Sequence, residues 1–250
     1  MQKQVPETKL DNSPKRYDQQ NHKESRSKKG KSAPIQAKQR PVEKGGLVLH
    51  MTAQSKIIFE QVVLGATDNQ VKASLNMFAP TQYQVTFIKV GDLSPENTRF
   101  LEVMQTITKA GKTTHILVTG LGEPGREKAV IGAYRNVPEQ EFGGNKVKMG
   151  TIDLLDMVKA SRYSDGKIPL RMLLTHEIYE NHTNQVDNKN EDDFPLDHEK
   201  SVQINEYVEG IKKLDILRDE DQKTLNFSYT KGEESVNQKV RYNANNNIIK

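Results

Sequence analysis

The sequence contains no cysteine and no tryptophan. Without cysteine there is no disulfide scaffold, no thiolate zinc site and no cysteine nucleophile. Long apolar runs are missing too. Nothing approaches the roughly 18 residues of a membrane-spanning helix. The opening MQKQVPETKLDNSPK lacks the apolar core of a Sec-type signal peptide. The expectation is a protein made in the cytoplasm, with no membrane span, which leaves the cell only by a non-Sec route. Apolar residues are scarce as well, at 34%. Counting glycine, the share is about 40%, against roughly 45–50% in an ordinary globular domain. Part of the chain is therefore expected not to fold.

Charge locates that part. Residues 1–46 hold 12 Lys/Arg and 5 Asp/Glu, while residues 47–250 hold 25 and 28. The first segment is rich in Lys, Gln, Ser, Asn and Pro, with Tyr17 its only aromatic. It cannot bury enough apolar surface to offset its ordering entropy and reads as a disordered basic tail. Its cluster Lys23, Arg26, Lys28, Lys29 and Lys31 suits a solvated linker, or contact with RNA, an anionic membrane or an import receptor. The remaining 204 residues suffice for one domain with a core. That domain carries a slight acidic excess, which argues against nucleic acid as its partner.

Within the domain, residues 56–65 (KIIFEQVVLG) are β-branched and apolar, which predicts a strand; residues 69–78 predict a short helix. Residues 83–90 alternate, with Tyr83, Val85, Phe87 and Lys89 on one face. Ser94 and Pro95 open a helix over 95–110, and TTHILVT at 113–119 is a strand. The glycine-rich GLGEPG at 120–125 is a loop without phosphate-loop or dinucleotide spacing. A strand is expected over 127–134, a loop through Gly143 and Gly144, a strand over 146–152 and a short helix over 154–160. Ser164, Asp165 and Gly166 form a turn. Helices are expected over 169–181 and 197–217, separated by the polar stretch 184–193, and the alternation of Leu225, Phe227, Tyr229, Val240 and Tyr242 suggests strands.

The chemistry concentrates in LLTHEIYENH, residues 173–182. His176 and Glu180 are four residues apart, hence on one helical face, one turn apart. Two such ligands can hold one metal ion. Glu177 lies about 100° further round, beside the ion and placed to take a proton from a water on it, the logic of the His-Glu-x-x-His helix. Here Glu180 stands where the second histidine would be. His198 is the expected third ligand, because it opens the next helix after a polar loop. A His₂Glu set suits zinc; another divalent ion such as manganese or iron also fits. His182, about 240° from His176, and Glu206 are alternative third ligands. Asn181 or Asp197 is placed to orient a ligand histidine. Tyr229, Tyr242 and Arg241 are the candidates for stabilising an oxyanion. The strand at 146–152 is expected to be an edge strand that takes up substrate by sheet extension.

Leu173, His176, Glu177, Ile178, Glu180 and His198 resemble the zincin-like metallopeptidase domains of bacterial toxins and effectors, in which Leu-x-His-Glu-hydrophobic-x-Glu is followed by a histidine leading a further helix. The resemblance covers about residues 146–210. It implies an α+β, zincin-like fold in which a twisted mixed sheet packs against active-site helices. It also implies a zinc peptidase acting on a protein or peptide, with Glu177 as general base. In the tail, residues 33–41 (APIQAKQRP) resemble the Pro-Ile-Gln-x-Lys-x-x-Pro segments of cargo proteins of extracellular contractile injection systems. That resemblance implies a loading signal in residues 1–46, with the injection particle as partner and export route. The alternative is a cargo or adaptor protein on a catalytically inactive zincin-like scaffold, motivated by Glu180.

Overall fold

The computed structural model describes residues 45–119, 131–133, 139–142, 145–186, 194–219 and 221–250. The expected tail lies outside the described residues, except that Gly46 already opens the first strand. The loops at 120–125 and 143–144, and all but residues 131–133 of the expected strand at 127–134, also lie outside them.

Three strands run parallel through the middle of a six-stranded mixed sheet: β1 (Gly46–His50), β4 (Thr113–Thr119) and β8 (Gly150–Asp153). Antiparallel partners extend it on both sides. They are β3 (Gln82–Lys89) on β1, β2 (Val71–Ala79) on β3, and β5 (Gly132–Ala133) on β8. The order is β2-β3-β1-β4-β8-β5. β6 (Glu139–Phe142) pairs with β7 (Asn145–Lys148). A second, antiparallel sheet closes the chain: β9 (Lys212–Asp219), β10 (Thr224–Lys231), β11 (Glu234–Tyr242) and β12 (Ile248–Ile249). The helices are α1 (Ala53–Ala66), α2 (Pro95–Thr108), α3 (Leu154–Tyr163), α4 (Leu170–Val186) and α5 (Phe194–Glu209). The fold class is α+β.

Four elements depart from the sequence expectation. Residues 56–65 belong to helix α1, where Phe59, Val62 and Val63 bury one face. The Thr52 hydroxyl accepts from Ser55 N at 3.1 Å and caps it. The expected helix over 69–78 is instead a turn at 69–70 followed by strand β2, because pairing with β3 along its length outweighs the helical leaning of Ala, Leu and Met. The expected helix over 197–217 stops at Glu209, since Gly210 adopts φ 64°, the left-handed conformation that terminates helices. Ile211, just before β9, and Leu214, within it, are then buried as part of the strand segment instead of continuing a helical face. The expected strand 146–152 divides at Met149 into β7 and β8, and β8 lies inside the six-stranded sheet; among the described residues β5 is the edge on that side and β2 the edge on the other. By contrast β4 has its expected bounds. The α2 cap is also as expected, with Ser94 Oγ accepting from Asn97 N. Lys89 is exposed while Tyr83, Val85 and Phe87 are buried.

Helix α4 is the centre of the molecule. It touches all four other helices and β4. Its buried residues, from Met172 to Asn184, therefore point in most directions, not along one stripe. Gln185 fixes its end to the sheet. Its amide accepts from His115 N and donates to His115 O, each at 2.8 Å, substituting for a strand where β8 does not reach. Arg171 fixes its start, with a bidentate pair to Glu209 at 2.9 and 2.7 Å and a further bond to Asn97 Oδ1.

His50 and His115, both buried in the sheet, place Nε2 and Nδ1 2.9 Å apart. Burial first, and His115 second, push the His50 pKa down to about 4. Folded His50 thus refuses a proton that the unfolded chain accepts near pH 6.5. Its stabilising contribution is complete above that pH and is lost as pH falls toward 4, at up to about 1.4 kcal/mol per pH unit. Thermal unfolding between pH 7 and 4.5 is expected to show a shallower decline in His50→Gln than in the parent. Equal slopes would exclude His50 as a source.

Candidate metal centre

The bond between Arg171 and Glu209 sets α4 against α5 running oppositely, so that His176 meets Asn205 and Glu180 meets His198. This pairing assembles the group read from the sequence. His176, Glu180 and His198 each offer a ligand atom, all within 4.8 Å of one another, and together can hold a metal ion. Glu180 Oε2 lies 4.0 Å from His176 Nε2, and Glu180 Oε1 lies 3.6 Å from His198 Nδ1. The two imidazole rings are 4.9 Å apart at 76°. Ligand atoms on a tetrahedral zinc ion lie about 3.3 Å apart, so the three side chains would have to draw together to hold one.

The donor set fits a cation on physical grounds. Glu180 is buried, and its Oε1 has no full hydrogen bond, only the His198 ring at 3.6 Å, so an ion held there would satisfy it. Burial, against the pull of Glu180, lowers the His176 pKa to about 4, keeping the ring neutral as a ligand must be. The adjacent Glu180 carboxylate raises that of His198 against the cost of burial, so this ring gives up a proton when an ion binds.

Asn205 is the residue that sequence reasoning missed. Its amide lies 3.2 Å from His176 Nδ1, and its Oδ1 is buried without a partner. Turning the amide over lets Oδ1 accept from His176 Nδ1–H, which satisfies the oxygen and directs the Nε2 lone pair toward Glu180. Asn205 follows His198 by seven residues, two turns along one helical face, and that spacing was the available signal.

Glu177 lies beside the group on α4. A Cβ built on Gly132 of β5 would meet its Oε2 at 1.9 Å, so the carboxylate rests directly against the strand's backbone. Burial, and then the charge of Glu180, raise its pKa well above the carboxylate range. A carboxyl group so placed accepts a proton more readily than an exposed one.

The alternatives are engaged elsewhere. His182 Nδ1 pairs with the Thr114 hydroxyl at 2.7 Å, and Glu206 accepts from Leu214 N at 2.8 Å. Asn181 donates to the Glu177 carbonyl and does not orient a histidine through that bond. Asp197 is buried, with Lys200 3.7 Å away. Tyr229 donates to Lys167 O and Tyr242 to Asp219 O. Both belong to the second sheet, as does Arg241, and none of the three joins the metal group.

No protein-family model, no curated protein and no solved structure matches this chain. Among the described residues, no helix is long and apolar enough to cross a membrane.

Proposed function

We propose that the chain is a zinc metallopeptidase and that it acts as a bacterial toxin or effector. The convergence of His176, Glu180 and His198 beside Glu177 carries this reading. Zinc suits two imidazoles and one carboxylate with a position left open, a ligand set found in catalytic sites. Bound there, the ion would supply Lewis acidity to a carbonyl oxygen and make a water easier to deprotonate. Glu177 takes the proton from the attacking water and passes it to the leaving amine. Asn205 holds His176 in the ligating tautomer. The β5 edge receives a peptide main chain by sheet extension, with Glu177 against Gly132 of the same strand. Delivery rests on the likeness of residues 33–41 to injection-system cargo, which makes the particle a partner and residues 1–46 its loading signal.

Metal analysis tests the centre. Purified protein is expected to hold about one zinc ion per chain, and His176→Ala and His198→Ala to lose it. A parent that takes up no zinc, or variants with undiminished content, would reject the centre. Asn205→Ala is expected to weaken zinc about 10–100-fold in competition with a chelating dye. Unchanged affinity there removes Asn205 from the account while leaving the three ligands in place.

A further inference from the structure

The second sheet carries a different site. A cavity of about 560 Å³ opens at one end of it, lined by Gln222, Lys223, Thr224, Lys239, Arg241, Tyr242 and Ile249. Register explains the grouping. Arg241 of β11 lies opposite Thr224 of β10 and Ile249 of β12, and Lys239 lies one pair further along on the same face. Lys239 and Arg241 are exposed. Among the described residues, neither side chain has a carboxylate within ion-pair distance. The Tyr242 ring steadies the cationic rim, with Lys223 5.8 Å and Arg218 5.1 Å from its centre. Asp219 ends β9 and Asp221 sits in the adjoining turn, but neither lines the cavity, and Asp219 accepts from Gln222 N.

The second observation is Thr224. It is only 7% exposed, and its Oγ1 is buried with no hydrogen-bond partner. Threonine hydroxyls bond readily to nearby backbone, so a buried one left over beside three cations marks a place for an acceptor from outside the chain. The acceptor must carry negative charge. Three cations match a dianion better than a carboxylate, and a phosphomonoester carries about −1.5 to −2 at neutral pH with three acceptor oxygens. The cavity exceeds the size of one phosphate group, so the ligand has a body, and Ile249 offers it an apolar wall.

We propose that this cavity binds a phosphomonoester, with Lys223, Lys239 and Arg241 neutralising the phosphate and the Thr224 hydroxyl donating to one of its oxygens. Free metabolites and lipid headgroups share this chemistry. The site is separate from the metal centre, and nothing in it depends on zinc.

Glycerol 3-phosphate is the probe, titrated into the isotope-labelled full chain at constant ionic strength. Saturable amide shifts are expected at Lys223, Thr224, Lys239 and Arg241. The double variant Lys239→Gln/Arg241→Gln, at exposed positions, is expected to bind at least about tenfold more weakly. Thr224→Val removes the hydroxyl at nearly constant volume and is expected to cost severalfold. Vesicles containing phosphatidate present the same group on a lipid. Cosedimentation competed by glycerol 3-phosphate assigns a headgroup ligand; binding of the probe without cosedimentation assigns a soluble one. No shifts at the cavity, equal shifts with chloride alone, or undiminished binding by the double variant overturns the proposal.

Discussion

Glu177→Gln is expected to keep its zinc and to lose peptide hydrolysis by about 10²–10⁴-fold, the usual contribution of a positioned general base. The two side chains have nearly the same shape, so α4 and its contact with Gly132 persist. The amide cannot accept a proton at neutral pH, and an attacking water then stays undeprotonated. The raised pKa of Glu177 comes from burial and from Glu180, and glutamine removes that titration without moving the three ligands. Turnover of a quenched-fluorescent peptide library, alongside zinc content by mass spectrometry, reads both effects. Retained hydrolysis would exclude Glu177 as the base. Retained toxicity in a target cell, with hydrolysis abolished, would favour the inactive-scaffold cargo reading.

The second large effect falls on a residue with no functional group. Gly132→Ala places a Cβ where the Glu177 carboxylate now sits, with Oε2 at 1.9 Å, the carboxyl carbon at 2.3 Å and Oε1 at 2.9 Å. Those atoms are the far end of a flexible side chain and can swing aside, so stability should change by no more than about 1–3 kcal/mol. The carboxylate cannot swing aside and remain in position. Activity is expected to fall by about 10²-fold, the scale on which a displacement of 1 Å acts, with zinc content unchanged. Equal activity in parent and variant would show that the carboxylate position seen here is not the working one. Lost zinc would show that β5 supports the ligands as well as the base.

The sequence carried much of the site because the relevant spacing is local. His176 and Glu180 are one turn apart, and any helix through 173–182 puts them on one face with Glu177 beside them. Ser94 and Pro95 likewise marked the start of α2, and the uninterrupted apolar run at 113–119 marked β4. Local pattern failed where two structures share one pattern. KIIFEQVVLG serves equally as a buried strand or as a helix with Phe59, Val62 and Val63 inward, and packing against neighbouring elements selected the helix. β2 contains few β-branched residues, yet nine residues of it are held as a strand beside β3.

By itself, then, the chain determined which residue types were available to a metal and which of them share a helical turn. It also required that any zinc be held by imidazole and carboxylate, because there is no cysteine. Tertiary structure brought one of the three candidate third ligands to the pair on α4. His182 points to Thr114 of β4 and Glu206 to the backbone of β9, while His198 faces Glu180 because the Arg171–Glu209 pair fixes how α4 and α5 lie together. It also supplied Asn205 and Gly132, whose roles exist only through contacts made across the fold. Spacing along one helix is fixed by covalent geometry and hydrogen bonding within it. Proximity between helices depends on long-range packing, which no local pattern encodes.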